Sequence, residues 1–282
     1  MNLDDHKHFF ITGVSSGFGR AFALAALTAG HRVTGTLRSE QAALEFQAMA
    51  PGRAVAQLLD VTDHAAVQRV VTQVEQHAPV DVLINNAGYG HEGILEESPM
   101  EELRRQFEVN VFGVVAVIRA FLPYMRARRR GRIINITSMG GYITMPGMAY
   151  YCGSKFALEG ISEALGKEVA SLGIDVTAVA PGSFRTHWAG RSMVRTARSI
   201  DDYDSLFDPV RTRRQQVSGR QLGDPEKAAA VVLDLATSSR TPPAHLLLGS
   251  DAFGLVHDKL TAQQAELKAW EQVSRSTDGP IA

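Results

Sequence analysis

Short apolar runs alternate with longer amphipathic ones from the start of the chain, a pattern that predicts strands separated by helices. His8 to Thr12 is a brief apolar run ending in glycine, and Arg20 to Ala29 reads as an Ala/Leu helix closed by Gly30. Arg32 to Leu37 predicts a second strand, Glu40 to Ala50 a helix stopped by Pro51, and Ala54 to Leu59 a third strand. Asp63 to His77 carries Val67, Val70, Val71 and Val74 at helical spacing, and Val80 to Ile84 follows as a fourth strand. Pro99 to Arg129 is helical in period, with Pro123 where a kink or restart is expected. Arg132 to Thr137, Tyr150 to Ser171 and Ile174 to Ala180 read as strand, long helix and strand, the last stopped by Pro181. The pattern then loosens over 181–220, a stretch read as a long loop acting as a mobile lid, with a basic cluster at Arg211, Arg213 and Arg214. Asp224 to Ala236 predicts a helix, His245 to Leu248 a last strand, and Leu255 to Val273 a closing helix within a C-terminal extension over 250–282.

Strands joined by helices of this length require parallel pairing with right-handed crossovers. Several of the strands are nearly all apolar, as expected when helices cover both faces of a sheet. The expected fold class is α/β, a doubly wound parallel sheet of Rossmann type, in one domain over 1–282. Sheets of this kind bind ligands beyond the carboxyl ends of their strands, where strand order reverses. The chain of 282 residues is long enough for a sizeable core, and 45% hydrophobic against 21% charged residues excludes a disordered class. Lys plus Arg number 29 and Asp plus Glu 30, so the basic excess of a dedicated nucleic-acid binder is missing. A single cysteine, Cys152, excludes an intrachain disulfide and is read as packing. Aspartates near the start stand where a signal peptide needs positive charge. The most apolar stretch, Val109 to Met125, holds Asn110 and Arg119 and falls short of the roughly 20 apolar residues of a membrane span, so it reads as a core helix. A cytoplasmic protein with neither nucleic-acid nor membrane partner is expected.

Between the first strand and first helix lies Thr12-Gly13-Val14-Ser15-Ser16-Gly17-Phe18-Gly19. Glycines there let the backbone turn sharply against a pyrophosphate, while a helix N-terminus offers free N–H groups and partial positive charge. The second strand ends Thr36-Leu37-Arg38-Ser39, without a carboxylate until Glu40. An acid at that position selects the ribose hydroxyl of NAD, whereas an arginine accommodates the 2′-phosphate of NADP, so Arg38 favours NADP(H) and leaves NAD(H) open.

Tyr151 and Lys155 stand four apart on the long helix, about 40° apart around its axis, so their side chains share a face. Tyr150 is turned away by about 140° and is the poorer partner. Ser138 closes the fifth strand on the edge where a cofactor would sit. A neighbouring ammonium is expected to lower the phenol's proton affinity, letting Tyr151 exchange a proton with a carbonyl or alcohol oxygen that the serine hydroxyl polarises.

Taken together, TGVSSGFG at 12–19, Asp60-Val61, Asn85-Asn86-Ala87-Gly88, Asn110, Ser138, Tyr151-x-x-x-Lys155 and Pro181-Gly182 followed by Thr186 resemble the short-chain dehydrogenase/reductase family from about Phe9 to Thr186. The resemblance implies that Tyr151 is the general acid/base, that Ser138 orients the carbonyl, that Lys155 also holds the nicotinamide ribose, and that Asn110 holds a water in a proton relay. It implies further that Asp60 and Val61 contact adenine, that Asn86, Ala87 and Gly88 line the cofactor, and that Pro181, Gly182 and Thr186 reach its nicotinamide end. Relatives of this kind are often homodimers or homotetramers. The second basic residue that some NADP-using members carry inside the glycine turn is missing here, which keeps dual cofactor use open.

Arg126, Arg128, Arg129, Arg130 and Arg132 read as a solvated helix end meeting its negative dipole. His6 and His8 have no partner that would complete a metal site and read as part of a mobile N-terminus. Tyr89, Met139, Tyr142, Met145, Phe184 and Trp188 are candidates to line a substrate pocket, and their low charge favours an apolar or aromatic substrate. The expected activity is NADP(H)-dependent hydride exchange with a ketone/secondary-alcohol pair. Two rivals stand beside it: a regulator that senses the nicotinamide cofactor without chemistry, and an epimerase or dehydratase on the same scaffold.

Overall fold

The computed structural model describes residues 6–186, 188, 190, 192–217 and 219–279. In chain order the elements are β1 (His8–Ile11), α1 (Gly17–Thr28), β2 (Arg32–Leu37), α2 (Glu40–Ala48), β3 (Ala54–Leu58), α3 (His64–His77), β4 (Val82–Asn85) and β5 (Gly90–Glu92). The helix pair α4 (Met100–Phe107) and α5 (Gly113–Arg128) follows, joined by one π turn, Glu108–Phe112. Then come β6 (Gly131–Ile136), α6 (Ala149–Val169), β7 (Ile174–Pro181), β8 (Met193–Arg195), α7 (Asp204–Gln216), α8 (Pro225–Thr237), β9 (His245–Leu248), α9 (Ser250–Ala269) and α10 (Glu271–Arg275). Among the described residues seven strands form one sheet in the order β3-β2-β1-β4-β6-β7-β9, every pair parallel. The expected doubly wound, Rossmann-like sheet is the fold of this chain.

Side-chain alternation builds a core on each face. Phe9, Ile11, Val82 and Ile84 pack with α1 and α8 on one side, while Phe10, Leu83 and Ile133 pack with α3, α5 and α6 on the other. Each such fully buried side chain contributes roughly 1.5–3 kcal/mol of transfer free energy. Met100–Arg128 is long and apolar enough to cross a membrane by composition, yet Val114, Val117, Ile118, Phe121 and Met125 on it are buried in the second core. Strand order reverses between β1 and β4, so the crevice for a ligand opens beyond Ile11 and Asn85.

Several expectations need correction. Helix α1 begins at Gly17 rather than Arg20, because tertiary packing makes the end of the glycine turn its first turn despite glycine's low helix propensity. The helix after Pro99 is interrupted by the π turn and not at Pro123, which lies within α5. The 181–220 stretch is not a structureless loop. It contains β8, which pairs in parallel with β5, and the whole of α7, whose Phe207 is buried against Gly147. Periodicity did not reveal them because β8 has three residues and Pro209 sits inside α7. The closing helix begins at Ser250 rather than Leu255, and it is exposed beyond Val256.

His8 is not in a mobile tail. It is a buried strand residue whose Nε2 meets the Thr34 hydroxyl at 2.8 Å and whose amide donates to Asp81 at 2.9 Å, and burial lowers its pKa. His6 packs edge-on to His31. In the arginine cluster, Arg126, Arg129 and Arg130 are exposed as expected of a solvated helix end, whereas Arg128 and Arg132 are built into the fold. Arg128 grips Glu75 at 2.5 Å and the Val80 carbonyl at 2.9 Å, Arg130 pairs with Asp81, and Arg132 reaches Asp175 and the Leu235 carbonyl. The Glu75 side chain is 2% exposed, so its charge depends on that one guanidinium. Arg128→Met should therefore cost about 3 kcal/mol of unfolding free energy in guanidinium titrations, since a buried carboxylate loses its partner. A loss below about 1 kcal/mol would mean that water replaces the pair.

Candidate active site

The crevice is held at its base by Thr12. Its hydroxyl accepts the amides of Asn86 and Ala87 at 2.9 and 3.0 Å, and the Asn86 side chain donates back to the carbonyls of Thr12 and Gly13 at 3.0 and 3.1 Å. Gly13 and Gly17 adopt φ of 75° and 57°, angles that side chains rarely tolerate. A β-carbon on Gly19 would stand 2.2 Å from the Gly13 carbonyl oxygen, so this glycine permits the helix to pack on the turn. It does not line the cleft. Ser16 caps α1 without a side-chain hydrogen bond, and no acid occupies the first helical turn, which leaves its N–H groups and partial positive charge for a ligand. Gly13, Ser15, Ser16, Gly17 and Phe18 line the resulting cleft of about 1210 Å³, a cradle suited to a pyrophosphate.

Arg38 lies on the same wall, its side chain 76% exposed and 3.8 Å from Asp60. Partial burial raises the Asp60 carboxyl, but the amide and hydroxyl of Thr62, together with Arg38, outweigh it and hold the group below the usual carboxylate range. Val61, Asn86, Ala87 and Gly88 continue the lining, and Pro181, Gly182 and Thr186 close the far end. Gly113 lets α5 approach Val61, since a β-carbon there would fall 2.8 Å from a Val61 methyl.

Ser138, Tyr151 and Lys155 meet at the rim of this cleft. All three are buried; the Ser138 hydroxyl accepts the Gly140 amide at 3.0 Å and lies near enough to Tyr151 to oppose the effect of burial on the phenol. Lys155 Nζ donates to the Ile136 carbonyl at 2.9 Å and lies 5.8 Å from the centre of the Tyr151 ring. Tyr150 points elsewhere, donating to the Ser98 carbonyl and stacking on His91. The expected lowering of the phenol's proton affinity is not found. Burial pushes Tyr151 up, with Ser138 opposing, and it lowers Lys155 to about 8, with Glu159 opposing. Desolvation acts on both groups directly, whereas the ammonium sits by the ring face and carbonyl rather than in a hydrogen bond to the phenol oxygen.

Besides Gly19, two further candidates fall outside the cleft lining. Asn110 is buried in the π turn, where its side chain accepts the Tyr89 amide at 3.2 Å and donates to the Tyr89 carbonyl and the Ser154 hydroxyl, both at 3.1 Å. Its side chain thus positions that wall of the site. Tyr142 is taken up by a polar cluster behind the site, its hydroxyl donating to Glu159 at 3.0 Å and meeting His245 at 2.8 Å. Tyr89, Met139, Met145, Phe184 and Trp188 do line the cleft, and the Trp188 ring centre is 5.0 Å from that of Tyr151. Burial, helped by Glu102 and opposed by Arg105, pushes the Tyr89 hydroxyl up to about 12. Cys152 is buried among Met148, Tyr151 and Met193.

The sequence reading missed Met193, Glu92 and Arg195, whose proximity depends on β5 and β8 folding over the site. It also passed over Glu159 and Met148, although helical spacing on α6 places Glu159 beside Lys155. Glu159 stands one turn beyond Lys155 and accepts a bond from the Thr137 hydroxyl, and Gly141 leaves room for it. The expectation of a weakly charged pocket also fails, since Glu92, Arg195 and Arg214 line it.

A parallel sheet with a glycine cradle at its switch point and a Ser/Tyr/Lys set at the rim defines a Rossmann-type oxidoreductase scaffold. The family model described as short chain dehydrogenase matches residues 7–195. A solved short-chain dehydrogenase from Streptomyces avermitilis superposes with a TM-score of 0.89 at 42% identity, covering 96% of this chain and 100% of that one. Oxidoreductase BOA17 of Botryotinia fuckeliana is 36% identical over 270 residues, 95% of this chain and 98% of its own. NADPH-dependent 3-dehydrocapnine reductase of Ornithobacterium rhinotracheale is 31% identical over 232 residues, 79% of this chain and 81% of its own. The chain belongs to the short-chain dehydrogenase family, whose members bind nicotinamide cofactors.

The Glu159 carboxylate favours the charged form of Lys155 against burial. Following the Lys155 ε-carbon by NMR should give a midpoint near 8 in the native protein, with the ammonium present below it. In Glu159→Gln the midpoint should fall by about one unit, as loss of a nearby opposite charge requires. An unmoved midpoint would show that Glu159 only braces the backbone.

Proposed function

We propose that the protein is an NADP(H)-dependent oxidoreductase that interconverts a ketone and a secondary alcohol. The observation that carries this reading is the meeting of Ser138, Tyr151 and Lys155 at the rim of the cleft that begins in the glycine cradle. NADP(H), when bound, supplies or accepts the hydride at its nicotinamide ring. Burial keeps the proton on Tyr151, so in reduction its hydroxyl gives that proton to the carbonyl oxygen as negative charge develops there. The Ser138 hydroxyl stabilises that same oxygen, and Lys155, charged below about 8, stabilises the phenolate that Tyr151 becomes. Oxidation of the alcohol runs these proton movements backwards.

Preference for NADP(H) is supported by Arg38, an exposed, permanently charged fork on the cleft wall at the end of β2, where no acid competes for a ribose hydroxyl. The Ornithobacterium relative is named as an NADPH-dependent reductase, which points the same way. Lys155 and Thr186, on the far part of the cleft, would hold the nicotinamide end.

Tyr151→Phe should lower ketone reduction roughly 10²- to 10⁴-fold while NADPH, followed by its fluorescence, still binds, because only the transferable proton is lost. Near-normal turnover would remove Tyr151 as the acid. Arg38→Asp should shift the NADPH/NADH ratio of kcat/KM at least about tenfold toward NADH, by loss of a charge-assisted pair and gain of repulsion. An unchanged ratio would refute the phosphate contact.

A further inference from the structure

Glu92, at the end of β5, is 1% exposed and meets three guanidiniums. Its Oε1 lies 3.1 Å from Arg195 Nε and 3.5 Å from Arg211 Nε, and its Oε2 lies 3.3 Å from Arg214 Nη1. Arg195 is the direct register partner of Glu92 across the β5–β8 pair. Arg211 and Arg214 are three apart on α7, so they share a face, and Arg214 also donates to the Pro146 carbonyl at 2.9 Å. Among the described residues neither Arg211 nor Arg214 has a second carboxylate partner. A neighbouring cluster has the opposite ratio: Arg198 alone meets Glu97, Asp204 and Asp208. Arg198 is not part of the cleft lining, whereas Arg195 and Arg214 are. Arg195 and Arg214 thus bring guanidiniums onto the cleft wall beside Glu92.

Anchoring the 181–220 segment by Glu92 requires one guanidinium. Crowding further ones around a buried carboxylate adds desolvation and mutual repulsion, which an arriving anion would relieve. The cluster is also close to the chemistry. Burial raises the thiol of Cys152, next to Tyr151, and Arg214 is near enough to oppose that rise. Between the arginines and Tyr151 the wall is apolar, formed by Met145, Met148, Trp188 and Met193.

We propose that the substrate is amphiphilic: an apolar body carries the reacting carbonyl, and an oxoanion, carboxylate or phosphate-like, docks on Arg214 beside Glu92. This reading rests on the oxidoreductase function above and replaces a purely apolar substrate with one that is charged at one end. The guanidinium fork matches either oxoanion through paired N–H donors.

The test uses the full chain and a series of ω-aryl-ω-keto acids, from 4-oxo-4-phenylbutanoate to longer homologues, with their methyl esters and the matching phosphonates. Binding is measured by calorimetry with and without NADP⁺, and turnover by NADPH absorbance. At the best chain length the acid or the phosphonate should bind at least about tenfold tighter than the ester, and which of the two leads identifies the oxoanion. Arg214→Met should abolish that preference while leaving ester binding within about twofold, since the ester never used the charge. Glu92→Gln should tighten acid binding severalfold, a gain that a misfolded variant cannot produce. Equal binding of acids, phosphonates and esters at every length overturns the proposal, as does a preference that survives Arg214→Met. Selective binding of acids without reduction keeps the anion site and refutes the hydride-transfer function. Efficient reduction of esters and acids alike keeps that function and refutes the anion site.

Discussion

The whole site hangs on the bonds that tie β1 to β4 where strand order reverses. One hydroxyl, that of Thr12, accepts two amides from the β4 side, and one amide side chain, that of Asn86, donates back to two carbonyls of the glycine turn. Parallel strands that diverge at a switch point leave backbone groups without ladder partners, and these bonds satisfy them while keeping the crevice open. The start of α1, which has no side-chain cap, then opens onto the cleft that Gly13 and Gly17 line.

Around the acid/base set, burial outweighs charge. Taking Tyr151 and Lys155 out of water favours the neutral form of each, which keeps a proton on the phenol and brings the amine close to neutrality. The residues that restore balance lie behind the pair. Glu159 supports the ammonium, and it is itself held by Thr137, Tyr142 and His245. A carboxylate one helical turn past the lysine thus links the reacting face of α6 to β9.

The 181–220 segment adds a second electrostatic layer. Its ion pairs to Glu92 and Glu97 fasten it to the edge of the site, and Arg195 and Arg214 of the first set also line the cleft. On the substrate proposed above, anchoring and substrate selection draw on the same residues.

Local pattern alone was enough for the strand–helix alternation, the glycine turn, and the shared face of Tyr151 and Lys155, because each depends on neighbours within a few positions and on fixed periods of 2 or 3.6 residues. It also placed Arg38 at the end of β2, since chain order and strand ends are read directly. Spacing could not show that Asn110 is spent on Tyr89 and Ser154, that Tyr142 turns to Glu159, or that arginines more than a hundred residues beyond Glu92 converge on it. Those outcomes, and the direction of the Tyr151 and Lys155 shifts, follow from desolvation and from contacts between distant segments. Both quantities exist only once the chain has closed around the site, so the tertiary structure alone decided them.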